Sequence, residues 1–139
     1  LVDGLCHHAV PDGPDRFVES LQADFSATIN WFAEQCAPGA TNGAIRHWGR
    51  QILGRSAPEA AIQLLTCLQG IDLRPSAAQV VQPTLLIHGD ADQVVPLSDS
   101  QWLASHIPHS HLHIVTGAGH VPTMTHPAEI AQAIDGYFA

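Results

Sequence analysis

Apolar residues fall at Phe17, Leu21, Phe25, Ile29 and Phe32, one every three or four positions, which predicts a helix over roughly residues 15–36. The turn-rich strings "PDGPD" (11–15) and "APGATNG" (37–43) bound it. A second helical stripe carries Ile45, Trp48, Ile52 and Leu53, and "GRSAPE" interrupts it. Pro58 then stands at the first turn of a third helix marked by Ala61, Leu64, Leu65 and Leu68, where a missing N–H costs nothing. "GIDLRPSAAQVVQ" connects that helix to the remainder.

From residue 83 the period changes. "PTLLIHG" is a short apolar run between Pro and Gly, the pattern of a buried parallel strand. "SDSQWLASHI" predicts a helix capped by Ser98 or Asp99, "HLHIVTG" a second strand, and "HPAEIAQAIDGYFA" a last helix with Pro127 near its start and Ile130, Ile134 and Phe138 along one face. The order strand, helix, strand, helix implies an α/β fold with a parallel sheet. The opening "LVDG" reads as the end of a buried strand, so the chain is expected to be part of something longer. The expected organisation is the end of a core strand and a loop over 1–10, helices over 11–75 and α/β core over 76–139.

Composition narrows the function. Of 139 residues 45% are hydrophobic, enough for a real core, and five basic against 13 acidic residues leave a net charge of -8. That balance argues against nucleic acid, whose phosphates must be neutralised by Lys and Arg. All the basic residues are arginines: Arg16, Arg46, Arg50, Arg55 and Arg74. Cys6, Cys36 and Cys67 are an odd, widely spaced set that does not form a disulfide framework, which favours a reducing, cytoplasmic setting. No apolar run is long enough for a membrane span, and no signal peptide is recognised.

The chemistry concentrates in two turns. In a parallel sheet, reacting groups gather beyond the carboxyl ends of the strands. Asp92 follows the first predicted strand by a few residues, and His120 follows the second by a similar distance. If the strands are neighbours, a carboxylate at 92 accepts the imidazole Nδ1–H, fixes the tautomer and stabilises an imidazolium. The small residues of "GAGH" allow the tight turn that brings the ring over the sheet edge. Asp90 is expected to be a turn residue.

The strings "PTLLIHGDADQVVP" and "GAGHVPTMTHPAEIAQAIDGYF" resemble the C-terminal portion of an α/β-hydrolase. In that family the chain order is nucleophile, acid, histidine. The family's Gly-x-x-Asp-x-x-Val-Pro is matched by Gly89, Asp92, Val95 and Pro96, and its Gly-His-x-Pro by Gly119, His120 and Pro122. The resemblance implies that Asp92 and His120 are catalytic and serve a serine in a Gly-x-Ser-x-Gly elbow, which this chain lacks. The nearest string, "GATNG" around Thr41, follows a helix rather than a strand and cannot form the elbow. The nucleophile and oxyanion hole are therefore expected on a missing N-terminal hydrolase half.

The helices over 11–75 then correspond to the family's lid insertion. With "AIQLLTCLQGIDLRPSAAQVVQPTLLIHGDAD" and "HPAEI", the layout is similar to the pimeloyl-[acyl-carrier protein] methyl ester esterases of biotin synthesis. That resemblance implies a carboxylic ester substrate carried on acyl carrier protein, no cofactor, and lid arginines that hold the carrier and its phosphopantetheine. Arg46 and Arg50, four residues apart, share a helix face, and Arg55 lies just beyond; guanidiniums suit phosphate and carboxylate partners, although a plain solvated face has the same pattern. Phe25, Phe32 and Trp48 are candidates for lining an acyl pocket, or plain core. "HSHLH" (109–113) puts His111 and His113 on one strand face, but no third ligand is spaced for zinc and no metal is expected. "CHHA" (6–9) follows the opening strand and could touch a pocket. Other lidded hydrolases (C–C hydrolase, lactonase, perhydrolase) would use the same acid and histidine, and a non-catalytic ligand-binding protein of the same fold is the alternative from a different class.

Overall fold

The computed structural model describes residues 14–69 and 71–139. The opening strand expected from "LVDG", the string "CHHA" and the start of "PDGPD" lie outside the described residues.

The α/β part is a pair of parallel strands with a helix on each face. Strand β1 (Thr84–Gly89) pairs in parallel with β2 (Ser110–Val115), Thr84 beside Ser110 and Gly89 beside Val115. Helix α6 (Leu97–His106) joins them, so the connection is the strand–helix–strand crossover that the sequence pattern predicts. Alternation along the strands sorts the side chains. Leu86 and Leu112 point to one face, where they pack with Leu103, Ile107 and Trp102 of the α6 region and with Ala77 and Val80. Ile87 and Val115 point to the other and meet Ala118 and Ile130, the latter on helix α8 (Pro127–Phe138). Strand β2 exposes His111 and Ile114.

The helical part precedes this layer. Helices α1 (Pro14–Ala23), α2 (Phe25–Cys36), α3 (Gly43–Leu53) and α4 (Pro58–Gln69) enclose their own apolar cluster of Phe17, Leu21 and Ile29 with Phe25, Phe32, Leu53, Ile62 and Leu65. The helix expected over 15–36 is in fact two. Asp24 takes an extended conformation (φ -153°) and caps α2, its carboxylate accepting from the Ala27 N–H at 2.9 Å. The Thr28 hydroxyl closes the joint by donating to the Ser20 and Asp24 carbonyls. Because the break keeps the helical phase, the same stripe of apolar residues serves both helices. Pro58 begins α4 as its position suggested.

Three short elements were not anticipated: a 3-10 turn at Ala40–Asn42, α5 (Arg74–Ala77) and α7 (Pro122–Thr125). The cap expected for α6 at Ser98 or Asp99 is also different. Helix α6 starts one residue earlier, after Pro96, with no side-chain cap bond. Ser98 and Asp99 lie within its first turn, where a carboxylate suits the helix dipole.

Candidate active site

Beyond the carboxyl ends of β1 and β2 the chain makes two turns that pack backbone on backbone. The Asp90 N–H donates to the Val115 carbonyl at 3.1 Å, and the Ala91 N–H to the Ala118 carbonyl at 2.9 Å. The Asp90 carboxylate accepts from the Gly117 N–H at 2.6 Å, so Asp90 is a tie between the two turns as well as a turn residue. Glycine is required for this approach: a Cβ on Gly89 would stand 2.1 Å from the Ala118 carbonyl oxygen. Gly117 holds φ +76°, a conformation that side chains resist. Gly119 is pressed from the far side by the end of α2, where an added Cβ would meet Pro38 Cδ at 2.4 Å and the Cys36 carbonyl at 2.8 Å.

The two turns bring Asp92 and His120 together. Asp92 Oδ2 accepts from His120 Nδ1 at 3.0 Å across a separation of 28 residues. A carboxylate oxygen only accepts here, so Nδ1 carries the hydrogen and Nε2 is the nitrogen left to act as a base. The other carboxylate oxygen, Oδ1, accepts from the Val94 and Val95 N–H groups at 2.7 and 3.0 Å. The Asp92 side chain is 3% exposed and that of His120 18%. Burial pushes the Asp92 carboxyl upward, but the hydrogen bond from His120 and the N–H donors of Val95 and Val94 outweigh it and hold the carboxyl below its ordinary value of 3.8. The arrangement is an ionised, water-shielded carboxylate fixed at one oxygen by backbone and directing an imidazole with the other.

Sequence reasoning missed a buried second imidazole in this network. His88, on the α6 face of β1, is 3% exposed. Its Nδ1 lies 2.7 Å from the Ser100 hydroxyl of α6, and its Nε2 3.1 Å from the Val95 carbonyl and 3.5 Å from Asp92 Oδ2. Strand alternation could have placed His88 on the Leu86 face; the rotation of α6 that presents Ser100 leaves no mark in the sequence.

The remaining candidates lie elsewhere. Arg46 and Arg50 do share a face of α3, and that face looks at α2: both guanidiniums pair with Glu34, Arg46 through Nε at 2.8 Å. Arg46 also donates to the Ala37 and Gly39 carbonyls at 2.9 and 2.6 Å, binding the α2–α3 connection. Arg55 is exposed. Phe25 and Phe32 pack in the helical cluster, whereas Trp48 is 50% exposed. His113 donates to Glu129 of α8 at 3.2 Å, and the His111 ring lies 6.1 Å from that of Tyr137. Among the described residues no group of three or more His, Cys, Asp or Glu side chains is placed to hold a metal. Among them, too, no helix is long and apolar enough to cross a membrane. Thr41, at the centre of "GATNG", sits in the 3-10 turn between α2 and α3, so a helix rather than a strand leads into it.

Solved structures share this architecture. An esterase from Exiguobacterium antarcticum superposes with a TM-score of 0.82 at 21% identity, over 89% of this chain and 46% of that one. An alpha/beta hydrolase enzyme from a Medee basin deep-sea metagenome library matches with a TM-score of 0.76 at 16% identity, over 97% of this chain and 54% of its own. Over the residues it spans, the chain has the α/β-hydrolase fold. In sequence it is similar to the pimeloyl-[acyl-carrier protein] methyl ester esterase of Nitrosomonas europaea, 32% identical over 86% of this chain and 49% of the relative. The chain spans about half the length of the curated relatives it matches. No protein-family model matches it.

Proposed function

We propose that this chain carries the acid and the base of a serine-type carboxylic ester hydrolase that cleaves the methyl ester of pimeloyl-acyl-carrier protein, a step of biotin synthesis in the cytoplasm. The observation that carries the reading is the 3.0 Å hydrogen bond from His120 Nδ1 to a buried Asp92 held in place by two backbone N–H groups. The similarity to relatives of that name supports the choice of substrate. The nucleophile is a serine of a Gly-x-Ser-x-Gly elbow on a preceding half of the hydrolase, and the helices over 11–75 form the lid.

The reaction follows from the tautomer. His120 Nε2 takes the serine proton as the oxygen attacks the ester carbonyl, and Asp92 stabilises the imidazolium that forms. Collapse of the tetrahedral intermediate expels methoxide, which takes the proton from Nε2 and leaves as methanol. Water then attacks the acyl-serine, giving its proton to Nε2, and the second collapse returns that proton to the serine and releases the free carboxylic acid.

Carrier recognition is proposed for the arginines of the lid. Because Arg46 and Arg50 already hold Glu34, Arg55 is the more exposed charge for an acidic partner, and the first two brace the helix that presents it. Trp48 and Phe25 are proposed to contact the acyl chain when the lid moves. The test is conversion of a methyl pimeloyl ester on carrier protein by the full-length gene product, followed as loss of one methyl group by mass spectrometry. Wild type converts it, and His120→Ala does not. Arg55→Glu slows this substrate while sparing a small free ester. Failure of the wild-type protein to hydrolyse any ester would reject the reading; equal loss on both esters in Arg55→Glu would reject the carrier site.

A further inference from the structure

We propose that His88 is a positioning residue for the Asp92–His120 pair, holding through its ring the peptide that holds the Asp92 carboxylate. The inference rests on the function proposed above and extends it to a residue that the family motif does not include.

The geometry fixes how the ring is used. Nε2 of His88 faces two groups that can only accept, the Val95 carbonyl at 3.1 Å and Asp92 Oδ2 at 3.5 Å, so Nε2 carries a hydrogen. The Val95 carbonyl is the hydrogen-bond partner; Oδ2 lies at the limit of reach and feels the same N–H dipole in a site screened from water. In the neutral ring Nδ1 has no hydrogen and accepts from the Ser100 hydroxyl at 2.7 Å. Both nitrogens are thereby satisfied inside a residue that is 3% exposed. An imidazole in such a place is costly unless its polar atoms are partnered, and a Leu or Phe would fill the space without that cost. One of the bonds that stabilise it runs to helix α6 and the other to the catalytic turn.

These bonds form one chain across three elements. Ser100 on α6 orients His88 on β1, and His88 fixes the carbonyl of Val95. The N–H of the same Val95 donates to Asp92 Oδ1 at 3.0 Å, and Asp92 Oδ2 accepts from His120. The Asp92 turn is otherwise anchored at its start, by Asp90 and Ala91 to the His120 turn. His88 anchors its far end. Without it, the loop over 92–96 keeps its tie to the strand only at its first residue, where the Asp92 N–H donates to the Gly89 carbonyl at 3.2 Å; its far end is released, the carboxylate samples other orientations, and His120 loses its fixed partner. A base displaced by a fraction of an ångström loses much of its rate.

The test uses the full-length gene product with p-nitrophenyl butyrate as the ester. His88→Phe keeps the ring volume and removes both nitrogens; His88→Gln returns an N–H donor close to the Nε2 position. Expected for His88→Phe is a fall in kcat of roughly tenfold to a hundredfold, as for misplacement of a catalytic group, with KM little changed. The NMR titration midpoint of the His120 imidazole should move downward, because a loosened carboxylate favours the imidazolium less. His88→Gln should recover most of both. An unmoved His120 midpoint in folded His88→Phe overturns the proposal, whatever happens to stability, since a space-filling residue would affect only the latter. If His88→Phe does not fold, Ser100→Ala takes its place: a smaller change in the same direction supports the proposal, and an unchanged kcat and midpoint overturn it. Asp92→Asn separates this from failure of the parent reading: if it leaves wild-type turnover intact, the Asp–His mechanism itself is wrong.

Discussion

At the residue scale, the atoms that hold Asp92 determine the chemistry of the site. Two backbone donors, Val94 and Val95, and one side-chain donor, His120, converge on a carboxylate that is almost wholly removed from water. Asp92→Asn replaces one acceptor oxygen by an amide N–H donor and disturbs either the backbone bonds or the His120 tautomer. In the full-length protein it should lower kcat by about 10⁴-fold, the loss seen when a triad acid becomes an amide. Its effect on stability should depend on pH. The Asp92 carboxyl titrates below its ordinary 3.8 in the folded state, so the stability it supplies is complete above the unfolded value and is lost as pH falls through the folded one. Denaturant midpoints of wild type and Asp92→Asn should therefore differ at pH 7 and converge in strong acid; a constant difference would mean that the carboxyl is not depressed. The residues Gly89, Asp92, Val95 and Pro96, and Gly119, His120 and Pro122, were legible in the sequence because each motif is local and its spacing reflects the turn itself. His88 and Ser100 were not, because their bond joins a strand to a helix face 12 residues away.

At the element scale, the site is a product of close approach. Strand β1 ends in a glycine because the next turn lies against it, and Gly119 lies under the end of α2. Gly119→Ala should destabilise by roughly 1–3 kcal/mol, and Gly89→Ala by at least the top of that range, because it meets a backbone carbonyl that a side-chain rotation cannot move. Chemical denaturation measures both, and a neutral Gly89→Ala would contradict the packing of the two turns. The strands, their parallel pairing and α8 were readable from periodicity. The division of the first helical stripe was not, since Asp24 interrupts the backbone while Phe17, Leu21, Phe25, Ile29 and Phe32 keep their period through it. The sign that was present is the aspartate itself, an N-cap residue inside an apparently continuous stripe. Asp24→Ala should cost about 1 kcal/mol through loss of that cap, read as a lowered denaturation midpoint.

At the scale of the whole molecule, two apolar units meet where Cys36 and Pro38 press on Gly119: a helical cluster and a β–α–β layer. The α/β nature of the layer was plain in the order of patterns. How the helical part spends its charge was not, because spacing put Arg46 and Arg50 on one face without saying which way that face looks; Glu34 decided it. The central claim is that the Asp92–His120 pair activates a serine that the 139 residues do not contain in elbow form. The most direct measurement is fluorophosphonate labelling of the full-length gene product, with peptide mapping of the adduct, in wild type and His120→Ala. Rapid modification of a serine within Gly-x-Ser-x-Gly, slowed at least about a hundredfold by His120→Ala, is the predicted result. A wild-type protein that takes no label, or labels equally well without its imidazole, would contradict it.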